Sequence, residues 1–401
     1  MTDLVPLRNR APWLAVLNVM WTVGSVSGPV VGGAFVRVNW RWILWLNIPL
    51  VITSFTGLCL FLHLQQTIQK SGLGSKLAHL DYVGAAVFLI FSSAFLLPIT
   101  LAGTLAPWAS VPILLPFILG FLGLILFTYH QKRLSLHPSK TSPLIRLSIF
   151  SNRTTLIGHS GTFIHGILLW TILYYLPLYY EGVLGFSPLQ AGVAAFPETF
   201  TVAPAAIVAG LIISRTGAYV WALRAGWILT TLGMGLLCLL GRDTPVFAWI
   251  LLNLVPGIAL GMLVPAGGTA IQAATSPADS GHAISMFYMI RGCGQTIGVA
   301  IGSTIFRYQL ADVLSLGSGG AGAEATVEGL LRILRGLKES GGDSEELIEG
   351  IVRALRVVWG VGCLLAGVAA VASFWMKGYS LDRKGKLEEI KTNIETNKPK
   401  K

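Results

Sequence analysis

Two charged side chains lie deep inside long apolar stretches of this 401-residue sequence, Glu198 and Arg291. A charge at the centre of a lipid bilayer costs at least ~2.5–3.5 kcal/mol, so each is expected to face a protein interior or a water-filled cavity. Burial favours the protonated carboxyl group of Glu198, and the approach of Arg291 or of a cationic ligand favours release of the proton. We therefore interpret both residues as candidates for proton exchange. The alternatives are a static ion pair between them, or an Arg291 that caps helix carbonyl groups.

Other side chains in the apolar stretches could contact a ligand. Trp170 and Tyr174 could stack on an aromatic compound, although aromatic belts at membrane interfaces contain the same residue types. Gln295 is a candidate polar contact in a cavity. For Gln295, and equally for Asn253 and Gln272, hydrogen bonding between helices is the alternative use.

Composition limits the class of protein. The chain has 53% hydrophobic and 12% charged residues and a mean hydropathy of +0.69, values typical of a protein that crosses a membrane many times. The formal net charge of +11 comes from basic residues between the apolar runs, so nucleic acid is not an expected partner. The four cysteines lie within apolar runs and lack metal-ligand spacing, which predicts neither a metal site nor a cofactor.

Apolar runs long enough to cross a hydrocarbon core of ~30 Å predict the topology. We expect an all-α polytopic membrane protein with about ten transmembrane helices, since ten such runs occur, near 13–36, 42–63, 82–102, 110–130, 156–180, 190–213, 220–241, 246–271, 283–306 and 354–376. Lys and Arg concentrate in the segments on one side, including five in the loop 131–155 and eight after Trp375. Because basic residues favour the cytoplasmic side, both termini are predicted to be cytoplasmic.

The first span carries small residues at regular spacing. Gly24, Gly28 and Gly32 recur every four residues and would form a smooth stripe on a helix, while Pro29, next to Gly28, is expected to bend it. A generic small-residue helix contact is the alternative reading of the glycines. The whole string, with Gly33 and the following NWRWILWLNIP, closely resembles the antiporter motif in the fifth helix of fourteen-helix drug/proton antiporters of the major facilitator superfamily, a branch that includes fungal multidrug and toxin efflux pumps.

This resemblance implies a major facilitator fold and a transporter rather than an enzyme. The expected activity is export of a small lipophilic compound, such as a drug, toxin or secondary metabolite, in exchange for protons and without a cofactor, in the plasma membrane. The chain matches only helices five to fourteen of that branch. We therefore expect an N-terminally truncated fold whose activity is impaired. The alternative is a non-transporting membrane protein that associates with a full-length transporter or other partner chain.

The resemblance and the loops predict a division of the chain. Residues 1–63 would be a two-span remnant of the N-terminal bundle, and 64–155 a central pair of spans with a cytoplasmic linker. A C-terminal six-helix bundle would follow at 156–376, containing an outer loop at 307–353. A basic cytoplasmic tail would occupy 377–401.

Two further patterns concern the later part of the chain. Leucines and isoleucines at three- and four-residue steps predict short amphipathic helices near 325–339 and 344–359, on the outer interface. Gly294, Gly298 and Gly302 recur every four residues, which predicts close approach of a neighbouring helix.

The predicted topology can be tested at a glycosylation sequon, Asn152-Arg153-Thr154. Because this segment is predicted to be cytoplasmic, we expect Asn152 to remain unmodified when the chain is expressed in a eukaryotic cell. Treatment with a glycosidase should therefore leave the electrophoretic mobility of the chain unchanged. A mobility shift that disappears in Asn152→Gln would contradict the topology.

Overall fold

Long α-helices form most of the chain that the computed structural model describes, namely residues 6–39, 41–61, 80–102, 106–136, 141, 143–315 and 345–381. Within these ranges there are twelve: α1 Arg10–Val38, α2 Arg41–Trp45, α3 Asn47–Phe61, α4 Tyr82–Leu101, α5 Val111–Leu136, α6 Arg153–Gly182, α7 Pro188–Ala194, α8 Phe196–Thr216, α9 Val220–Leu237, α10 Val246–Ala274, α11 Ser280–Ser315 and α12 Glu345–Ser373. Each of the ten predicted spans coincides with one helix or with two consecutive helices. The predicted all-α polytopic fold is confirmed.

Eight segments of the described chain are long and apolar enough to cross a membrane. The two predicted spans outside this set are α1 and α11, which are nevertheless continuous helices of 29 and 36 residues. In α11, Arg291, Gln295 and several glycines lower the hydropathy of the central turns. In α1, several side chains are not described.

Two helix boundaries differ from the predictions. The span predicted at 190–213 is divided at Ala195, where α7 ends and α8 begins with Pro197 in its first turn. Proline has no N–H group to continue the hydrogen bonding of a preceding helix. The amphipathic segment predicted near 344–359 is the first half of α12, which begins at Glu345 rather than at 354. The segment 325–339 lies outside the described residues, as does most of the predicted tail.

Side-chain caps determine where several helices begin. The side chain of Asp81 accepts a hydrogen bond from the Gly84 N–H and starts α4. Ser187 and Gln190 form a capping box at the start of α7. Asn152 caps α6 and also donates to the hydroxyl of Tyr379 at 2.8 Å, which ties the start of α6 to the segment after α12.

Helices α6 and α11 pack closely along a row of glycines. A Cβ atom added at Gly298 would lie 2.5 Å from the carbonyl oxygen of Ile167 on α6. At Gly302 it would collide with the ring of Tyr175, and at Gly294 it would also collide with α6. The predicted close approach at these three glycines is therefore confirmed, and α6 is its partner.

A second glycine contact joins α8 to α10. Cβ atoms at Gly257 and Gly261 of α10 would overlap the backbone carbonyl oxygens of Glu198 and Val202 on α8. The backbone of α8 around Glu198 is thus held directly against α10, with the hydroxyl of Thr201 also in contact with Gly257.

The N-terminal part of α1 packs against the later helices. The backbone of Ala11 approaches Gly210 of α8. Arg8, in the short helical turn Leu7–Asn9 just before α1, donates to the carbonyl oxygen of Ser214 at 3.0 Å. Arg10 donates to the side chain of Gln272 at 2.9 Å, and it also contacts Ser280. These contacts attach α1 to the ends of α8 and α10.

The glycine stripe of α1 is open in the described part of the chain. Cβ atoms added at Gly24, Gly28 or Gly32 would meet no atom within 4 Å. Pro29 and Gly33 lie within α1, but their surroundings are not described, and the bend expected at Pro29 stays a prediction. The following span, residues 41–61, is also exposed along its whole apolar window. The packing partner predicted for the stripe is therefore not found among the described residues.

The central pair, α4 and α5, packs together and is fixed to the later helices at both ends. Arg307 of α11 donates to the carbonyl oxygen of Ala102, just after α4, at 2.7 Å. At the opposite end, Arg146 of the linker forms an ion pair with Asp279 at 2.6 Å. The linker predicted at 131–155 therefore makes specific contacts with the α10–α11 connection.

The glycine row can be tested with a matched pair of variants on α11. In Gly298→Ala the added methyl group forces α6 and α11 apart, and we expect a loss of stability of about 1–3 kcal/mol, as for other overpacked cores. Gly292→Ala is the control, because a Cβ there meets no atom within 4 Å. Thermal unfolding of the purified proteins in detergent should show a lower unfolding temperature for Gly298→Ala only. Equal unfolding temperatures for the two variants would contradict the packing.

The Arg146–Asp279 ion pair predicts a dependence of stability on pH. The Arg146 guanidinium lowers the pKa of the Asp279 carboxyl group below its usual value of 3.8. The ion pair therefore stabilises the folded protein fully above pH 3.8, the usual pKa of the carboxyl group. This stabilisation is lost as the pH falls through the lowered pKa of Asp279. Because the pair is partly exposed, we expect Arg146→Gln to cost only ~0.2–1 kcal/mol at pH 7. The difference from wild type should shrink below about pH 4, with exposed Arg133→Gln as the control. A difference that grows on acidification would contradict this assignment.

Candidate functional site

Glu198 lies in the first turn of α8, and only 1% of the residue is exposed. Its Oε1 atom has no hydrogen-bond partner among the described residues. Its backbone, by contrast, is firmly held: the hydroxyl of Thr201 donates to the Glu198 carbonyl oxygen at 2.9 Å, and Gly257 packs against the same oxygen. A rigid helix therefore carries a carboxyl group that lacks a partner in the described part of the protein.

A cavity of about 310 Å³ lies beside this carboxyl group, between α1, α6, α7 and α8. Its polar residues are Ser25, Glu181, Glu198 and Thr199. The remaining lining residues are Ile172, Leu173, Leu176, Pro177, Pro188, Gly192, Ala195 and Phe196. The site, which we call the Glu198 cavity, thus combines two carboxyl and two hydroxyl groups with an otherwise apolar wall.

The C-terminal end of α6 and the N-terminal part of α10 are joined near the Glu198 cavity by a buried hydrogen bond. The side-chain amide of Asn253 donates to the hydroxyl oxygen of Tyr180 at 2.5 Å. The ring of Tyr180 packs edge-on against Trp249 and stacks on Phe186. Asn253 therefore bonds between helices, as the alternative reading of the sequence expected, and Gln272 does so through Arg10.

Arg291 is also buried, but it lies in a different part of the bundle. Its backbone carbonyl faces Gly166 of α6, and its charge interacts with the neighbouring His165. The Glu198 cavity contacts α6 from Ile172 to Glu181, six to fifteen residues further along the helix, which at ~1.5 Å per residue is roughly 9 Å or more. No ion pair joins Glu198 to Arg291 in the described residues. The static ion pair considered from the sequence is therefore absent.

The three predicted substrate contacts do not line the Glu198 cavity. Trp170 packs against the main hydrophobic core, and its indole N–H is buried without a partner in the described residues. Tyr174 is 48% exposed, and its ring contacts Tyr175. Gln295 lies on α11 at the close contact with Gly166. Their role in substrate binding stays a prediction.

Sequence reasoning missed two residues of the Glu198 cavity, Ser25 and Glu181. Ser25 follows Gly24 on α1, and its type is common in membrane helices. Glu181 is the penultimate residue of α6, at a position typical of an acid at the membrane interface. Only the packing of α1 against α7 and α8 shows that both line the same cavity.

The described residues contain no group of three or more His, Cys, Asp or Glu side chains that could hold a metal ion. The polar lining residues of the Glu198 cavity supply carboxyl and hydroxyl groups. Such groups bind protons and cations and form hydrogen bonds.

The sequence model of the family described as "Major Facilitator Superfamily" matches residues 158–386 of the chain. This region begins within α6 and includes α7 to α12. It therefore contains Glu198, Glu181 and Arg291.

Several curated proteins are similar to nearly the whole chain. A protein named "MFS transporter L2" from Phoma sp. is 42% identical over 391 residues, which is 95% of this chain and 63% of that protein. An "Acurin A biosynthesis cluster MFS-type transporter" from Aspergillus aculeatus is 30% identical over 94% of this chain and 69% of its own length. The "MFS efflux transporter aclA" from Aspergillus oryzae is 30% identical over 98% of this chain and 70% of its own length. The chain thus spans less than two thirds of the first of these relatives.

Proposed function

The chain belongs to the major facilitator superfamily, and on this basis we propose that it exports a small lipophilic compound across a membrane in exchange for protons. Its candidate membrane-spanning helices and its family make it a multi-pass membrane protein. Relatives named as efflux transporters, and one named for a biosynthesis cluster, support a drug, toxin or secondary metabolite as the substrate.

The observation that carries this proposal is the unpartnered carboxyl group of Glu198 beside a cavity. The cavity volume of about 310 Å³ is at the lower end of the ~300–1,000 Å³ range of small-molecule sites. The cavity lies where α1 meets α6 and α8. A movement of α1 relative to the later helices would therefore open or close it, as alternating access requires.

In this proposal Glu198 is the proton carrier. Protonated, the carboxyl group is neutral and compatible with an apolar environment. When water reaches the cavity, the ionised form is stabilised and the proton can leave. Arg291 forms no ion pair with Glu198 in this conformation, so its contribution to coupling would depend on a rearrangement of the bundle.

We further propose that the chain corresponds to the fourteen-helix antiporter branch, to about helices five to fourteen. The resemblance of α1 to the antiporter motif and the additional pair α4–α5 support this assignment. The proposed division places a remnant of the first bundle at 1–63, the central pair and linker at 64–155, the second bundle at 156–376 and a tail at 377–401. The excess of basic residues on one side supports cytoplasmic termini, and the family resemblance supports the plasma membrane.

Export can be measured in a yeast strain that lacks its own drug pumps. Cells expressing the chain should accumulate severalfold less of a lipophilic dye, rhodamine 6G or Nile red, and a protonophore should remove the difference. Glu198→Gln should abolish the dependence on the proton gradient. Because Glu198 has no described partner to lose, this variant should keep its unfolding temperature.

The matched control is Glu346→Gln, at an exposed acid on α12. It should export as wild type does. Proton-dependent export that persists unchanged in Glu198→Gln would remove the proposed proton role.

A second candidate function is association with another transporter chain without transport. It is favoured by the open stripe of Gly24, Gly28 and Gly32, against which a foreign helix could pack closely. In this case the chain alone would export neither dye. It would instead change export by a co-expressed full-length relative, and Gly28→Ile would abolish that effect.

A further inference from the structure

We propose that an open groove on α7, α8 and α10 binds a sterol, with the sterol hydroxyl group at the end of the groove where α7 begins. The groove is formed by side chains from residues 186–201 and 249–254 and has a volume of about 760 Å³. We call it the α7–α10 groove. The proposal goes beyond the proposed export function, because a sterol could bind here whether or not the chain transports anything.

The α7–α10 groove faces the hydrocarbon of the membrane. Leu189, Val193 and Phe200 line it and are 42%, 49% and 63% exposed. All three belong to the candidate membrane span Pro188–Thr216. Because the core of a bilayer contains no water to fill such a groove, its occupant has to come from the membrane itself.

The length of the groove matches one leaflet of the bilayer. Its lining on α7 and α8 extends from Leu189 to Thr201, which is roughly 18 Å at ~1.5 Å per residue. Half of a hydrocarbon core of ~30 Å is ~15 Å. In the proposed orientation α7 begins at the outer surface of the membrane. The groove therefore extends from that surface to about the bilayer centre and fits a lipid of a single leaflet that lies along the helices.

The polar groups of the groove favour a neutral hydroxyl group over a phosphate headgroup. None of its described lining residues is charged or a histidine, whereas lipid phosphates are usually held by Lys or Arg. Its two polar residues are Gln190, in the first turn of α7, and Thr201. The hydroxyl of Thr201 already donates to backbone carbonyl oxygens of its own helix. Gln190 is therefore the polar contact that the groove offers to a ligand.

The side chain of Gln190 is oriented by the capping box of α7. Its Oε1 atom accepts a hydrogen bond from the Ser187 N–H at 2.9 Å. Its Nε2 group donates to no residue in the described part of the chain. The amide N–H groups can thus donate to the oxygen of a sterol at the outer end of the groove.

The walls of the groove are fixed by packing, which favours a rigid ring system over a flexible acyl chain. The ring of Trp249 packs edge-on against Tyr180, with the centroids 5.2 Å apart, and Tyr180 stacks on Phe186 at 6.0 Å. Next to these rings, α8 is in direct contact with α10 at Gly257. A fused ring system loses little conformational freedom on entering such a groove, whereas the torsions of an acyl chain must be ordered.

Phe196 lines both the α7–α10 groove and the Glu198 cavity. A sterol in the groove would therefore contact a residue of the cavity wall. For this reason the substitutions used in the test avoid Phe196. They are made at Val193 and Gln190, which line the groove and not the Glu198 cavity.

The test uses a photoreactive diazirine derivative of cholesterol and the purified full chain in phosphatidylcholine vesicles. After illumination and proteolysis, mass spectrometry should find the label within residues 186–201 or 249–254. Val193→Trp fills the groove and should lower this labelling by about tenfold, a usual effect of a steric mismatch in an apolar pocket. The matched control is Val208→Trp, since Val208 is 55% exposed on α8 and does not line the groove. It should be labelled as wild type is.

The hydroxyl contact is tested separately from the packing. In wild type, an excess of cholesterol should displace the label, and epicholesterol, its epimer at the hydroxyl-bearing carbon, should displace it much less. Gln190→Glu keeps an acceptor for the Ser187 N–H, because glutamate also completes a capping box, but it has no N–H donor. In this variant the two epimers should compete equally.

Several results would overturn the proposal. They are a label spread evenly over the exposed helix faces, equal labelling of Val193→Trp and Val208→Trp, and equal competition by the two epimers in wild type. A preference for cholesterol that persists in Gln190→Glu would also contradict it. The alternative occupant is an acyl chain, which would be indicated if a phosphatidylcholine with a diazirine in its chain labels the groove and excess cholesterol does not reduce that labelling. The competition between epimers needs only the wild-type protein, so it does not depend on the folding of any variant.

Discussion

The central constraint in this protein is the burial of a carboxyl group where no described side chain neutralises it. Glu198 is almost inaccessible, lies beside a largely apolar cavity and is positioned by a helix whose backbone is packed directly on α10. Burying an unpaired charge costs several kcal/mol or forces the group to be neutral. The group is therefore suited to change its protonation state when its surroundings change.

The glycine contacts explain how the helices keep this group in place. Gly257 and Gly261 bring α10 against α8, and Gly294 to Gly302 bring α11 against α6. In membranes such close backbone contacts replace the hydrophobic driving force that acts between helices in water. Through the same packing, Arg291 on α11 faces α6 at Gly166, whereas the cavity beside Glu198 faces α6 from Ile172 onward. Arg291 therefore does not neutralise Glu198 in this conformation.

Much of the fold could be predicted because a bilayer imposes strict lengths and tolerates few charges. The ten helical segments and the interior position of Glu198 follow from these rules, and the row from Gly294 to Gly302 follows from the close packing that small residues allow. The break at Ala195 and the early start of α12 could not be predicted, because several competing end points satisfied the same apolar pattern. The roles of Ser25 and Glu181 escaped prediction for a different reason. A cavity is formed by residues of several packed helices, and the packing of α1 against α7 and α8 has no signature in local spacing.

The most direct test of this account is infrared difference spectroscopy of the purified chain at neutral pH. It compares wild type with Glu198→Gln. If Glu198 holds an exchangeable proton in an apolar cavity, the wild type shows the C=O stretch of a protonated carboxyl group. That band is missing from the variant. A spectrum in which Glu198 contributes only carboxylate bands would contradict the account.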